Sequence, residues 1–385
     1  MVFLDLEVRR CREMTESWNR FIGNVVNSGD FPVGGAVAAI KDGRIVYEKG
    51  FGKARLGAEE RDFTPNTLTS IQSVSKSFTA ASLLKLAENN LLDLKAPVIT
   101  YLPYFRTADK QASDRITVEQ LLSHTAGFPG EVGIGNLLCS NVREFSVFES
   151  VKEECGLTDS ILSGITSRED ITKYFSTVNL SHLPGSGWDY CTEAYIIAAD
   201  LFEKVSGRSW DEYMEQVMFG RLGLNRTTLD PDKVLTDMDS ARYYTGDVSI
   251  LMNPVKPDPG RKAYETPFPQ NRLGAPMGFI YSTARDLARY LSSYMTDEPF
   301  IPKELMARMH EPVWNLDNEE GYALGWGTLR KGNLMMIEHG GGFPGVRSYV
   351  CMVPAKGIGA VVVSNHDETP AREICDAVME RLLER

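Results

Sequence analysis

The 385 residues contain no run close to the ~20 consecutive apolar residues that a membrane-spanning helix needs. The N-terminus, MVFLDLEVRR, interrupts every apolar stretch with an acid or an arginine, so it lacks the apolar core of a secretory signal. Cysteine is sparse and scattered: Cys11, Cys139, Cys155, Cys191, Cys351 and Cys375 show none of the close pairing of a zinc site or redox motif. The five histidines, His124, His182, His310, His339 and His366, form no His-x-His or His-Glu-x-x-His spacing, which argues against a metallohydrolase. Positive charge is also short, with 41 Lys and Arg against 52 Asp and Glu. The formal net charge of -11 repels phosphate backbones and anionic lipid, and no basic patch stands apart from it. These absences predict a cytoplasmic protein with no metal or other cofactor and no nucleic-acid or membrane partner. Oligomeric state is not legible.

What is present is enough apolar residue, 43%, to bury a large core in one large or two interleaved domains. Residues 5–28 place Val8, Cys11, Trp18, Phe21, Ile22 and Val25 near one helical stripe, which predicts a first amphipathic helix lying over a sheet. Residues 33–40 and 45–51 are β-rich and flank Lys41-Asp42-Gly43-Arg44, whose Asp-Gly pair predicts a hairpin. From about residue 70 to 310 helical patterns alternate with Gly and Pro clusters. Strand composition returns at 334–338, 346–353 and 358–364, with Pro354-Ala355-Lys356-Gly357 as a turn. A closing helix follows, with Thr369 as its N-cap and Pro370 as its first residue. Strands at both ends with helices between them predict an α/β protein of the α+β kind. Residues 1–75 and 311–385 would build an antiparallel sheet flanked by helices, and 76–310 an inserted, mostly helical domain. The cleft between them is the expected site. Residues 128–188 and 229–276 read as long irregular stretches, candidates for walls or lids.

Ser73-Val74-Ser75-Lys76 puts a hydroxyl and an amine one helical turn apart on one face. Ser82-Leu83-Leu84-Lys85 has the same form, and position separates the two. Ser73 stands where a helix over 74–89 begins, so its N–H is free to bind an oxyanion at the positive end of that helix. Ser82 lies inside the helix, where its N–H is used by the ladder. A Lys76 buried beneath a cleft would have its ammonium form disfavoured and could act as a base. Taken alone, the same residues read equally as a helix cap and a surface lysine.

Other segments supply context. In order come the hairpin of residues 33–52, then Ser73 to Lys76, then Ile116-Thr117-Val118-Glu119-Gln120-Leu121-Leu122-Ser123-His124-Thr125-Ala126-Gly127. Gly187-Trp188-Asp189-Tyr190, Ala194-Tyr195 and Val205-Ser206-Gly207 follow, then Tyr322-Ala323-Leu324-Gly325-Trp326 and His339-Gly340-Gly341-Gly342. This ordered set, over residues 30–365, resembles the class C β-lactamase family of penicillin-recognising serine hydrolases and its relatives: family VIII esterases, D-aminopeptidases, D,D-peptidases and related acyltransferases. The resemblance implies a β-lactamase/transpeptidase-like fold. It implies Ser73 as nucleophile, Lys76 as its proton partner and Tyr190 as the proton shuttle to the leaving group, with a nearby lysine ammonium favouring phenolate. It also implies the N–H of Gly342 as partner to that of Ser73 in the oxyanion hole. His339 stands where β-lactamases carry the lysine of Lys-Thr-Gly, and would orient a polar group of the substrate, share the proton network or cap the strand end. Gly340, Gly341 and Gly342 fit a strand edge that a substrate backbone approaches closely.

One departure matters. The family's Tyr-x-Asn reads Tyr190-Cys191-Thr192, and no Tyr-x-Asn occurs anywhere. A threonine hydroxyl is shorter than a carboxamide and cannot hold an amide substrate in the same way, which tilts the reading from β-lactam hydrolysis toward esterases and acyltransferases. His339-Gly340-Gly341-Gly342 also resembles a lipase oxyanion motif, but the Gly-x-Ser-x-Gly elbow of that fold is missing. Ser17-Trp18-Asn19 precedes the nucleophile and is a chance Ser-x-Asn. Thr283-Ala284-Arg285-Asp286 reads as a capping box and His124 as structural.

The resulting expectation is a serine hydrolase acting through acyl-Ser73 on small esters or short peptides and amides with a D-residue. Alternatives are β-lactamase or D,D-peptidase activity, acyl transfer to an alcohol or amine, and a non-catalytic acyl- or peptide-binding protein. A cell-wall substrate is disfavoured by the lack of an export signal.

Overall fold

Asp42 and Gly43 take left-handed backbone angles, φ 53° and 67°, and turn β1 (Gly34–Lys41) back on β2 (Arg44–Arg55), as the Asp-Gly pair predicts. In this computed structural model, which describes residues 15–26, 33–252 and 263–384, that hairpin belongs to a nine-stranded antiparallel sheet. The other strands are β3 (Arg61–Asp62), β4 (Trp314–Asn315), β5 (Glu320–Tyr322), β6 (Gly327–Lys331), β7 (Leu334–Phe343), β8 (Val346–Val353) and β9 (Ile358–Ser364). Their order is β3-β2-β1-β9-β8-β7-β6-β5-β4. The two ends of the chain meet in the β1–β9 pairing, Gly35 opposite Ser364 through Ile40 opposite Gly359.

The near-continuous apolar composition of β1 and β9 reflects cover on both faces. Side chains alternate across the pleat: Ala36, Ala38, Ile40, Val361 and Val363 join the main core, while Val37, Ala39, Ile358, Ala360 and Val362 join a second one. That second core is closed by a helix over residues 15–26, α1, through Trp18, Ile22 and Val26, and by the C-terminal helix. Val8 and Cys11, assigned to the same first stripe, lie outside the described residues. The closing helix runs Ala371–Leu383, one residue later than predicted. Thr369 does not cap it, because its hydroxyl is 2.7 Å from that of Ser364.

Between the two parts of the sheet the regular structure is mostly helical. α2 (Ser75–Glu88) is buried around most of its circumference, with the Phe78 ring stacked 3.8 Å from Tyr290, so it forms the axis of the helical region. α3 (Ala194–Ser206) packs beside it. α4 (Ala284–Ser292) lies against β1, β2 and β9 and covers the main-core face of the sheet. Thr283 caps α4 by accepting from the Asp286 N–H at 3.0 Å, and the Asp286 carboxylate turns away to the Arg226 N–H at 2.7 Å. Half of the predicted capping box is therefore present. Residues 128–188 are only partly irregular: they include short helices at Ile134–Leu137, Phe148–Glu154, Asp159–Gly164 and Arg168–Tyr174. Each is too short to show a helical period in sequence.

The segment leading into α2 is held from two sides. Ile71 N–H donates to Ile280 O at 3.1 Å, and Ile71 O accepts from the Ser348 hydroxyl at 2.8 Å. Gly341 of β7 presses on the same carbonyl: a Cβ there would stand 2.3 Å from Ile71 O and 2.4 Å from Ser348 Oγ. Gly341 therefore serves packing within the protein, rather than the approach of a substrate backbone. Gly341→Ala is expected to destabilise the fold by about 1–3 kcal/mol through overpacking, read as a lower urea midpoint at unchanged m-value. An unchanged midpoint would show that the turn can yield.

Candidate active site

Between Ser70 and α2 the chain reverses sharply. Gln72 takes a left-handed angle, φ 46°, uncommon for a residue with a Cβ, and its amide Nε2 donates to Ser70 Oγ at 2.8 Å. A short 3-10 turn, Gln72–Val74, then leads into the helix. The predicted helix start at residue 74 is thus a turn with α-helix beginning at Ser75. This places the partly exposed Ser73 side chain at the helix mouth. The Ser73 N–H has no backbone acceptor among the described residues. Ser82, by contrast, is buried, donating to Thr79 O and accepting from the Trp210 indole at 3.1 Å. Lys85 bonds Phe300 O, so the second Ser-x-x-Lys is structural.

Lys76 is wholly buried, and its Nζ lies 3.0 Å from Ser73 Oγ, 2.8 Å from Thr192 Oγ1 and 2.6 Å from Met277 O. Burial lowers its pKa to about 7, against the opposing pull of Glu193 and Cys191. The carbonyl of Met277 can only accept, whereas the hydroxyls of Ser73 and Thr192 can also donate. A neutral Lys76 amine can therefore keep its bond to Met277 and turn its lone pair to the Ser73 O–H.

Tyr190 lies beside this pair, with Lys76 Nζ 4.9 Å from the centre of its ring. Burial raises the phenol well above its ordinary range, and the Ser73 hydroxyl pulls weakly the other way. The phenol thus keeps its proton at neutral pH, contrary to the expectation that a lysine ammonium would favour phenolate. Desolvation of the buried ring is the leading cause. Behind Tyr190 sits His124, in a left-handed backbone angle of φ 60°, its ring 4.2 Å from that of Tyr190. Its carbonyl accepts from the Asp189 N–H at 3.2 Å, so its structural role is to seat the tyrosine segment.

A pocket of about 220 Å³ joins Ser73, Tyr190, Thr192 and Gly342, residues separated by up to 269 positions in the chain. Of the larger cavities, the one beside β7 and β8 shares Gly342 with it, and two others share no residue with it. His339 does not line it. Its Nδ1 is 2.7 Å from Gly340 O and its Nε2 is 3.0 Å from the Tyr322 hydroxyl. Burial and the neighbouring Lys76 lower its pKa to about 3. The ring is neutral, donating from Nδ1 and accepting at Nε2, with both nitrogens used inside the protein. Gly340 contributes that carbonyl, Gly341 packs on Ile71, and only Gly342 of the three reaches the pocket. Thr192 lines the pocket and also anchors Lys76.

Several pocket residues escaped sequence reasoning. Glu131 and Asn136 come from the 128–188 stretch read as a candidate wall, without being singled out there, and Phe279 and Phe343 from elsewhere in the chain. Glu193 is fully buried beneath Lys76, its Oε1 accepting from the Gly135 N–H at 3.1 Å, and burial raises its pKa to about 7. An acid immediately after an unusual threonine was the one available signal. Among the described residues no three His, Cys, Asp or Glu side chains converge as a metal set.

Glu193 favours the ammonium form of Lys76, so removing its charge lets the amine stay neutral to lower pH. Glu193→Gln is expected to move the acid limb of a kcat/KM profile down by about one pH unit. An unmoved limb would show that Glu193 and Lys76 are not electrostatically linked.

Comparison with known proteins places this geometry. The chain matches the Beta-lactamase family model over residues 19–383. It is 28% identical over 322 residues to Penicillin-binding protein 4* of Bacillus subtilis, covering 81% of this chain and 63% of that protein. It is also 22% identical over 361 residues to Protein flp of Staphylococcus aureus, covering 93% of this chain, and it spans 63–64% of the length of these two curated relatives. Among solved structures it resembles the octameric penicillin-binding protein homologue from Pyrococcus abyssi, with TM-score 0.76, 25% identity, and 96% and 77% of the two chains covered. It also has the fold of a D-stereospecific amidohydrolase from Streptomyces sp., with TM-score 0.70, 20% identity, and 93% and 97% covered. The match spans both halves of the sheet and the helical region between them, and the chain belongs to the beta-lactamase family.

Proposed function

We propose that this protein is a serine hydrolase that transfers an acyl group from a small ester, or from a short amide containing a D-residue, to water through an ester on Ser73. The observation that carries the proposal is the buried Lys76 Nζ, 3.0 Å from Ser73 Oγ and lowered to about pKa 7. An amine with that pKa combines a useful neutral fraction with basicity at physiological pH. Lys76 takes the Ser73 proton as Oγ attacks the carbonyl carbon. The N–H groups of Ser73 and Gly342 receive the developing oxyanion. The Tyr190 phenol gives its proton to the departing alcohol or amine and is reprotonated from the Lys76 ammonium. A water then enters, loses its proton along the same route reversed, and releases the acid from Ser73.

The substrate class is proposed on Thr192 and on the likeness in fold to a D-stereospecific amidohydrolase. The Thr192 hydroxyl bonds Lys76 at 2.8 Å, an arrangement that supports turnover over passive ligand binding. It leaves no carboxamide at this position for a β-lactam amide, which favours small esters and simple amides. The proposed partner is a small molecule.

Incubation with a fluorophosphonate should add one adduct mass, located on the peptide containing Ser73. Ser73→Ala should abolish both the adduct and hydrolysis of p-nitrophenyl butyrate, and turnover that survives the substitution rejects the mechanism. Where Lys76 is the base, kcat/KM is low while the amine is protonated and rises as pH passes through about 7. A profile flat between roughly pH 5 and 8 would remove Lys76 from that role.

A further inference from the structure

The pocket over Ser73 is electrically one-sided. No arginine or lysine among the described residues lines it, and its one acidic side chain is Glu131. That carboxylate forms no ion pair and no side-chain hydrogen bond with any described residue, although it is flanked by neighbours that raise its pKa through partial burial. Glu193 and Cys155 face the same wall, and the negative charge of Glu131 disfavours ionisation of both. Asn136 adds a carboxamide to this wall. Phe279 and Phe343, edge to face with ring centres 5.9 Å apart, also line the pocket. The lining around the nucleophile thus combines one anionic side chain and a carboxamide with an aromatic pair. Glu131 is exposed at the pocket, and a carboxylate without a partner there attracts an incoming cation and repels an incoming anion.

Resting on the acyl-Ser73 reading above, we infer that Glu131 is a specificity-determining residue that selects substrates carrying an ammonium group and rejects those carrying a carboxylate. The ammonium would lie against Glu131 and Asn136, with the scissile carbonyl over Ser73 and the apolar part of the substrate against Phe279 and Phe343. The net charge of -11 acts in the same direction at longer range.

Three substrates that share a leaving group separate the charges: D-alanyl p-nitroanilide is cationic, its N-acetyl derivative neutral and its N-succinyl derivative anionic. The kcat/KM ratio of cationic to neutral substrate should be roughly 5- to 20-fold, with the anionic substrate slowest. Glu131→Gln should bring that ratio to about one, and Glu131→Lys should invert the order. A parallel binding measurement needs no turnover. Calorimetry of Ser73→Ala with D-alanine amide and N-acetyl-D-alanine amide should show preference for the amine, lost when Glu131→Gln is added. Equal affinity for the two ligands, or a preference that survives Glu131→Gln, overturns the inference. Failure of the acyl-Ser73 reading has a different signature: ester hydrolysis indifferent to Ser73→Ala while the amine preference in binding stays intact.

Discussion

The site depends on one ammonium group taken out of water. Lys76 is fully buried, and desolvation brings its pKa down to about 7, so the group that would be a permanent cation at the surface becomes a titrating amine. Its surroundings divide the labour. Met277 O and Thr192 Oγ1 hold the nitrogen in place, Ser73 Oγ meets it at 3.0 Å, and Glu193 limits how far the pKa falls. A buried amine with no acceptors would cost several kcal/mol and distort the core. With these acceptors the group is accommodated and stays reactive.

That arrangement holds only while the turn around Ser73 stays in place, and the turn is where sheet and helical region touch. Ile71 is bonded on one side to Ile280 and on the other to Ser348 of β8, with Gly341 of β7 against its carbonyl. Ile71 and the left-handed Gln72 then carry the chain from the short strand at Thr69–Ser70 into the helix. Positive backbone angles at non-glycine residues cost energy that the surrounding structure must offset. Here the compensation comes from strands contributed by the other end of the chain, so the nucleophile's geometry is a property of the closed sheet.

Charge near the site is arranged by burial more than by pairing. His339 and His124 are held neutral, and the Tyr190 phenol is kept protonated. His339, for which the resemblance allowed substrate contact, a share in the proton network or a cap on the strand end, has its two nitrogens satisfied by Gly340 and Tyr322. Thr192, which stood out as a departure, retains a hydroxyl able to anchor the lysine. One member of a motif can therefore change while the geometry around Lys76 is preserved.

The sequence determined a good deal alone. The Asp42-Gly43 turn, the apolar runs of β1 and β9 and the choice of Ser73 over Ser82 followed from local rules, because turn dihedrals, pleat alternation and helix termini are set by neighbouring residues. The ordered motifs carried the family and the fold. Only the tertiary structure decided that Gly341 serves internal packing, that His339 is withdrawn from the pocket, and that Tyr190 holds its proton. It alone brought Glu131, Asn136 and Glu193 to the nucleophile. Those outcomes depend on burial and on contacts between residues far apart in the chain, and neither desolvation nor a cross-fold contact leaves a periodic or local mark in the order of the amino acids.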